Sequence, residues 1–324
     1  MNIVESKLYF TTPPLSIRRF NQQKNLKDRK EEFDRASIYI IGKREVPQIR
    51  VLEQSPIEKY LKDVDEEKYV LLNIEMDESN FKMDCVYILP DNIKKSELIS
   101  SINEITVDEL FSCTAHNIGT FGCIGDISSL ITFEVLYVGQ CVEEPLTKRF
   151  RAHHALQNML IEENVISRHY DKADELIPMP LYVDSDIISV LTPNLGEEEF
   201  VKVFTNNFDF GSKEVTLDAE KALVHNMNPK YNRIKFLNYP SSKDGLHKTD
   251  AHAFSYAFAE FAMLKYNDGM VVGCPNIMYA SKIVGDDEGF TKVYKPGEDI
   301  TEKYVPRIMS YMGENIVKRF YTHQ

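Results

Sequence analysis

No apolar run in this sequence approaches the ~18 residues that a membrane-spanning helix needs, so membrane contact is not expected. The first ten residues, MNIVESKLYF, lack a basic stretch leading into an apolar one, so no secretion signal is visible and cytoplasmic residence is the expectation. Basic charge is in deficit. The 38 Lys and Arg stand against 50 Asp and Glu, a net charge of −12, which argues against a surface coated with cations for nucleic acid. Cysteine is sparse and odd in number. Cys113, His116, Cys123 and Cys141 have the ligand chemistry for zinc, but no paired C-x-x-C supports such a site. The five cysteines (these three with Cys85 and Cys274) read instead as buried free thiols of a reducing compartment. There is no internal repeat, no low-complexity tract and no G-x-G-x-x-G; the Gly119, Gly122, Gly125 series reads as a turn-rich connector. What is present, 43% apolar and 27% charged residues over 324 positions, is the composition of a soluble globular chain with room for two or three domains.

Residues 1–125 read as an N-terminal β-rich unit. Pro13 and Pro14 precede a charged helical stretch, and ASIYIIG, QIRVLEQ, YVLLNIEM and DCVYILP within 36–90 are four strand candidates separated by charged turns. A helix is expected over 94–112. Residues 126–240 carry the two segments described next, with an insertion at about 166–214 in which IPMPLYV and IISVLTP lie at or near strands. Residues 241–324 read as a mixed, mainly helical unit: Ala251 to Tyr266 is expected to be a helix of Ala, Phe and Met, and 301–321 a final one. MVVGCPNIMYASKIV and GFTKVYKP add strand candidates.

ITFEVLYVGQC, residues 131–141, is rich in β-branched and aromatic residues and reads as a strand carrying Tyr137. From Leu146 the apolar period becomes helical through Phe150, Leu156, Met159, Leu160 and Val165. Arg149 and His153, four apart, then share one helix face. A strand tyrosine beside a helical cation and imidazole suits phosphate chemistry. The guanidinium binds phosphate oxygens through two donors and stays charged at any working pH, and His153 or Tyr137 can move a proton at the nucleophile.

VTLDAEKALVHNM, residues 215–227, reads as a second helix, with Thr216 or Asp218 as its cap and a stop at Asn228-Pro229. Glu220 then falls in the first or second turn, near the positive helix end. One carboxylate is a sparse ligand set, yet it suits Mg²⁺ (or Mn²⁺), which keeps most of its waters and shares substrate phosphate oxygens. Asn232 either fixes the following loop through backbone hydrogen bonds or touches substrate.

Together these segments resemble the GIY-YIG nuclease superfamily. LYVGQ (136–140) is similar to its second signature strand, Arg149 and His153 to its Arg-x-x-x-His helix, and AEKALVHNMNPKYN (219–232) to its segment of metal-binding Glu, Pro and Asn. The resemblance covers about a third of the chain, roughly residues 130–240. It implies an α+β fold in which helices flank a small three-stranded antiparallel sheet. It further implies one divalent ion and phosphodiester hydrolysis, in which Tyr137 assists the attacking water, Arg149 stabilises the charge on phosphorus, and His153 shares in proton transfer. Glu220 would hold the metal and Asn232 would secure the site. No Gly-Ile-Tyr occurs for the first signature; Phe121, Tyr87 and Tyr39 are its three candidates, in order of increasing distance from Tyr137.

The expected activity is a metal-dependent endonuclease acting on DNA, with RNA also open, and with substrate selection or homodimerisation as roles for the flanking units. The alternative is an inactive protein of that fold that binds nucleic acid or serves a structural role. Two runs offset the acidic balance. RRFNQQKNLKDRK (18–30) carries six cations against Asp28, and 230–248 carries Lys230, Arg233, Lys235, Lys243, His247 and Lys248 against Asp244.

Overall fold

In the computed structural model the described residues are 2–293, apart from 63, 77–78, 111–118, 151–153, 164–173, 190–209, 250, 259–261, 268, 273–276 and 282–289. The chain opens with β1 (Asn2–Phe10), α1 (Ile17–Gln23), α2 (Lys27–Asp34) and β2 (Ile38–Glu45). It continues through β3 (Gln48–Leu52), β4 (Tyr69–Met76), β5 (Phe81–Ile88), α3 (Lys95–Ser101) and β6 (Thr120–Cys123). α4 (Ser128–Ile131) leads into β7 (Thr132–Gln140), α5 (Leu146–Arg149), α6 (His154–Glu162), β8 (Asp174–Ser189) and α7 (Ser212–Met227). β9 (Ala251–Phe258), β10 (Met263–Tyr266), β11 (Gly269–Val272), β12 (Ile277–Ser281) and β13 (Phe290–Val293) follow. Among the described residues the result is a mixed α/β architecture with two sheets. One has nine strands in the order β11-β10-β7-β2-β8-β1-β9-β12-β13; the other is antiparallel, in the order β3-β4-β5-β6.

Ile38, Tyr39, Ile40 and Ile41 form an unbroken apolar run, and such a strand must be covered on both faces. All four are fully buried, with β7 and β8 antiparallel on either side of β2. Ile38 and Ile40 join a core with Val215, Ala219, Leu223 and Met227 of α7; Tyr39 and Ile41 join another with Phe20, Phe33, Phe150 and Met159. β7 does not keep one alternation throughout. Its register against β2 shifts between Ile41, opposite Tyr137, and Gly42, opposite Val135, so Leu136 is the extra residue of a bulge. Phe133 and Val135 face the α7 core, and so does Val138 beyond the bulge. One inserted residue therefore turns Tyr137 onto the face that carries Tyr39.

Residues 46–131 separate β2 from β7, yet Lys43 lies directly opposite Glu134. The excursion leaves and returns at neighbouring points because it contains its own sheet. β4 and β5 bury Val70, Leu72, Ile74 and Met83 against Leu98, Ile102 and Leu130. The buried Arg44 guanidinium joins the two parts, bonding Asp108 at 2.7 and 3.0 Å, Glu175 at 2.8 Å and the Leu130 carbonyl at 2.5 Å. Strands from all three stretches expected by pattern, 1–125, 126–240 and 241–324, share the large sheet.

Several expectations need correction. Cys85 and Cys123 are not free thiols: they face each other across β5 and β6 with Cα atoms 4.2 Å apart and are joined as a disulfide. Cys141 is a free, buried thiol; Cys113 and Cys274 lie outside the described residues. The stretch Ala251–Tyr266 is not a helix but β9 and β10, so the described part of 241–293 is dominated by strands. Phe254, Tyr256 and Phe258 alternate into the core, and β9 pairs in parallel with β1. Period two, with aromatic residues, won over the helical reading. The expected helix over 94–112 is interrupted: α3 ends at Ser101, passes into a single 3₁₀ turn at Ile102–Glu104, and the chain is helical again at 107–110. The final helix expected at 301–321 lies outside the described residues.

The stretch expected as an insertion supplies β8, and Pro178 and Pro180 interrupt it without breaking it. The Pro180 carbonyl accepts from Thr11 N at 2.9 Å, on the side where β1 has already ended, so the missing proline N–H groups remove no ladder bond there.

Candidate functional site

Tyr39 and Tyr137 stand on adjacent strands, with ring centroids 5.9 Å apart and planes 28° from parallel. Directly opposite Tyr39 in register is Gly139. A Cβ at Gly139 would come within 2.5 Å of the Tyr39 ring and 2.8 Å of the Tyr137 ring, so only glycine leaves the two phenols this position. Phe150 closes the far side, edge-on to Tyr39 at 5.1 Å. Arg149, at the end of α5, donates from Nε to the Tyr39 hydroxyl at 3.3 Å. Asp34 holds the start of that short helix, accepting from Thr147 N at 3.2 Å and Oγ1 at 2.6 Å. Tyr137 lies within hydrogen-bonding reach of Tyr39 and Arg149.

Burial raises the pKa of Tyr39 well above its usual value, and the Arg149 hydrogen bond offsets only part of this. The Tyr137 pKa is raised too, first by burial and then by the Glu220 charge, against Tyr39 and Arg149. Burial opposes the Arg149 charge, but the bond to Tyr39 and the surrounding phenols and thiol leave its pKa raised. The nearby Cys141 thiol is pushed up to about 12 by burial, so it is no nucleophile at neutral pH.

α7 is longer at its start than the sequence suggested: Gly211 precedes its first turn and donates from N to Glu214 Oε2 at 2.8 Å. Asp218 is not a cap but a fully buried acceptor for the Tyr239 hydroxyl (2.8 Å), the Tyr256 hydroxyl (2.7 Å) and Leu246 N (3.1 Å). Glu220 lies beyond the first two turns, where the helix dipole gives little support. Burial instead lifts its pKa to about 7; Arg149 and Lys221 pull it down, and Asp244 adds to the rise. Among the described residues its carboxylate has no hydrogen bond or ion pair. A half-buried carboxylate with no ion pair among the described residues, within electrostatic reach of Arg149 and Tyr137, fits a divalent ion held by one protein ligand, waters and substrate oxygens. Among the described residues no three His, Cys, Asp or Glu side chains converge.

Asn232 is a structural clamp. Its Oδ1 accepts from Val138 N at 2.9 Å and its Nδ2 donates to Val138 O at 2.7 Å, while Tyr231 N bonds the carbonyl of the bulge residue Leu136 at 3.0 Å. One side chain thus replaces a neighbouring strand along the edge that carries Tyr137. Asn232→Ala should cost about 2–3 kcal/mol in urea unfolding, because both Val138 backbone groups lose their partners in a buried place. A loss below ~0.5 kcal/mol would mean that water reaches this edge freely.

Glu163, just past α6, holds the same loop from the other side, bonding the Tyr231 hydroxyl at 2.6 Å, Lys230 Nζ at 2.7 Å and Lys43 Nζ at 3.1 Å. Burial opposes its charge, but these three donors bring its pKa down to about 2. Sequence reasoning did not single out Glu163, since a glutamate beside another near a helix end carries no signal by itself.

Tyr39, Tyr137, Arg149, Glu220 and Asn232 are therefore gathered around the Tyr137 end of β7. His153 lies outside the described residues. Tyr87 and Phe121, the other two first-signature candidates, pair with each other in the four-stranded sheet. Of the expected basic run, Lys230 is paired with Glu162 and Glu163, and Lys235 bonds the carbonyls of Asn228 and Pro229. Arg233 and Lys243 are exposed, and neither has an ion pair among the described residues. No protein-family model, no curated protein and no solved structure matches the chain.

Proposed function

We propose that this protein is a metal-dependent endonuclease that hydrolyses phosphodiester bonds in DNA at a GIY-YIG-like site formed by Tyr39, Tyr137, Arg149, His153 and Glu220. The observation that carries the reading is the union of two phenols on one bulged strand pair with the Arg149 guanidinium that bonds one of them and a half-buried carboxylate that has no ion pair among the described residues. In this reading Tyr39 fills the place of the first signature tyrosine. The antiparallel trio β7-β2-β8, with helices over both faces, is in keeping with the fold the resemblance implies.

Arg149 binds the non-bridging oxygens of the scissile phosphate and meets the charge that grows on them. Both phenols keep their protons at neutral pH, so Tyr39 and Tyr137 act as donors. Tyr39 fixes Arg149, and Tyr137 orients the attacking water. His153 accepts that water's proton. Glu220 would hold Mg²⁺ or Mn²⁺, which when bound supplies positive charge to the phosphate and to the leaving oxygen.

Cleavage of supercoiled plasmid by Tyr39→Phe and Tyr87→Phe separates the candidates for the first tyrosine. Tyr39→Phe should lose on the order of 100-fold in rate. Tyr87→Phe, in the other sheet, should cleave like the parent. Equal rates for all three proteins would remove Tyr39 from the site.

A further inference from the structure

The loop from Asn228 to Pro240, between α7 and β9, is held at several points. Asn228 closes α7 in the left-handed conformation, with its N–H on Val224 O at 2.9 Å. Asn232 is clamped to Val138, and the Lys235 ammonium turns back onto the Asn228 and Pro229 carbonyls. The Phe236 carbonyl meets His225 Nδ1 at 2.9 Å and accepts from Tyr239 N at 2.9 Å, and its ring packs on the α7 core. Against this fixed backbone, Ile234 is 67% and Leu237 81% exposed; none of the described large apolar residues is more exposed than Leu237. Arg233 and Asn238 flank them, also exposed.

A braced loop that holds two branched apolar side chains in water, beside a cation without a carboxylate partner among the described residues, is suited to a negatively charged partner with an apolar interior. Duplex DNA has both, in its phosphates and its stacked bases. Proteins that enter the minor groove insert such apolar wedges between base pairs, with cations alongside. A second copy of this chain is a poorer occupant. Two side chains fall far short of the ~1,200–2,000 Å² of a stable interface, and a chain of net charge −12 offers a cation less than DNA does.

We infer that Ile234 and Leu237 form a wedge that enters the minor groove and unstacks a base step of duplex DNA, with Arg233 on the adjoining phosphates. The inference rests on the nuclease reading for its partner. Asn232, two residues before Ile234, is bonded to the strand residue next to Tyr137, so a base step opened here adjoins the proposed cleavage site. Opening that step would let the duplex bend so that the scissile phosphate reaches Arg149.

The test uses the full chain carrying Glu220→Gln, which leaves the DNA intact, and a short mixed-sequence duplex with 2-aminopurine at successive positions. Binding should brighten the probe at one or two adjacent steps. Adding Ile234→Ala and Leu237→Ala together should remove that signal and weaken binding at least about ten-fold, with the melting curve unchanged because both side chains are exposed. Equal brightening and equal affinity with and without the two side chains would overturn the wedge. So would a change in sedimentation without any change in DNA binding, which would assign the patch to self-association. Cleavage is scored separately on the chain with Glu220 intact: a wedge signal without cleavage defeats the nuclease reading and leaves the wedge standing.

Discussion

Glu220→Gln should give a protein that is inactive and, at pH 8, more stable than the parent. The Glu220 pKa rises from 4.5 to about 7 on folding, chiefly through burial. Between those values the unfolded chain has lost its proton and the folded protein keeps it, so the stability present below pH 4.5 is lost as pH rises through about 7. A shift of this size corresponds to about 3 kcal/mol. Gln imitates the neutral acid at every pH. The variant and the parent should therefore unfold at similar urea concentrations near pH 5, and the variant should gain up to about 3 kcal/mol by pH 8. Mg²⁺ should stabilise the parent at pH 8, by an amount set by its concentration relative to Kd, and leave the variant unchanged. A stability difference that stays constant from pH 5 to pH 8 would mean that Glu220 titrates as an ordinary surface acid. A residue that destabilises the free protein, with no ion pair among the described residues, is understandable if substrate and metal supply positive charge.

Arg149→Ala should lower single-turnover cleavage about 1,000-fold, since it removes both the charge on the scissile phosphate and the donor that fixes Tyr39. Arg149→Lys should recover only part of this: an ammonium keeps the charge but lacks the planar fork that can bond phosphate and phenol together. The same change reaches Glu220. Arg149 is the first of the charges that hold the Glu220 pKa down, so its removal should leave the onset of the stability difference near pH 4.5 and carry its upper end above pH 7, enlarging the difference. If the alanine variant cleaves like the parent, the guanidinium serves only to hold the Tyr39 hydroxyl.

The strand that carries Tyr137 and the helix that carries Glu220 were legible because each carries a strong period, whereas the helix expected to run on from Leu146 through His153 ends as α5 at Arg149, with α6 spanning His154–Glu162. Tyr39 is the most distant of the three candidates, and distance counts against it for a physical reason. Signature strands joined by a hairpin should lie a short loop apart, and here residues 46–131 intervene. Loop closure grows only slowly with length, and an insertion that folds into its own sheet returns its ends to neighbouring positions, as Lys43 and Glu134 show. The clue available in the sequence was the unbroken Ile38–Ile41 run, the mark of a strand covered on both faces. The bulge at Leu136 left no such mark, because nothing in LYVGQ states which residue is extra. The stretch from Ala251 to Tyr266 misled in the opposite direction. With few polar residues to interrupt it, its apolar pattern satisfies either period, and only pairing with β1 decides. Asp218 was mistaken for a cap because acids favour helix starts, whereas its partners, Tyr239 and Tyr256, come from further along the chain.

Whether these residues form one metal-dependent phosphodiesterase site is decided by nicking of supercoiled plasmid. With Mg²⁺ or Mn²⁺ the wild-type chain should nick or linearise the plasmid. It should stop when the metal is chelated, and Glu220→Gln should do neither under any of these conditions. Equal cleavage by the variant, or none by the wild-type chain on duplex, single-stranded or branched DNA, would contradict the account and favour a protein that binds nucleic acid without cutting it.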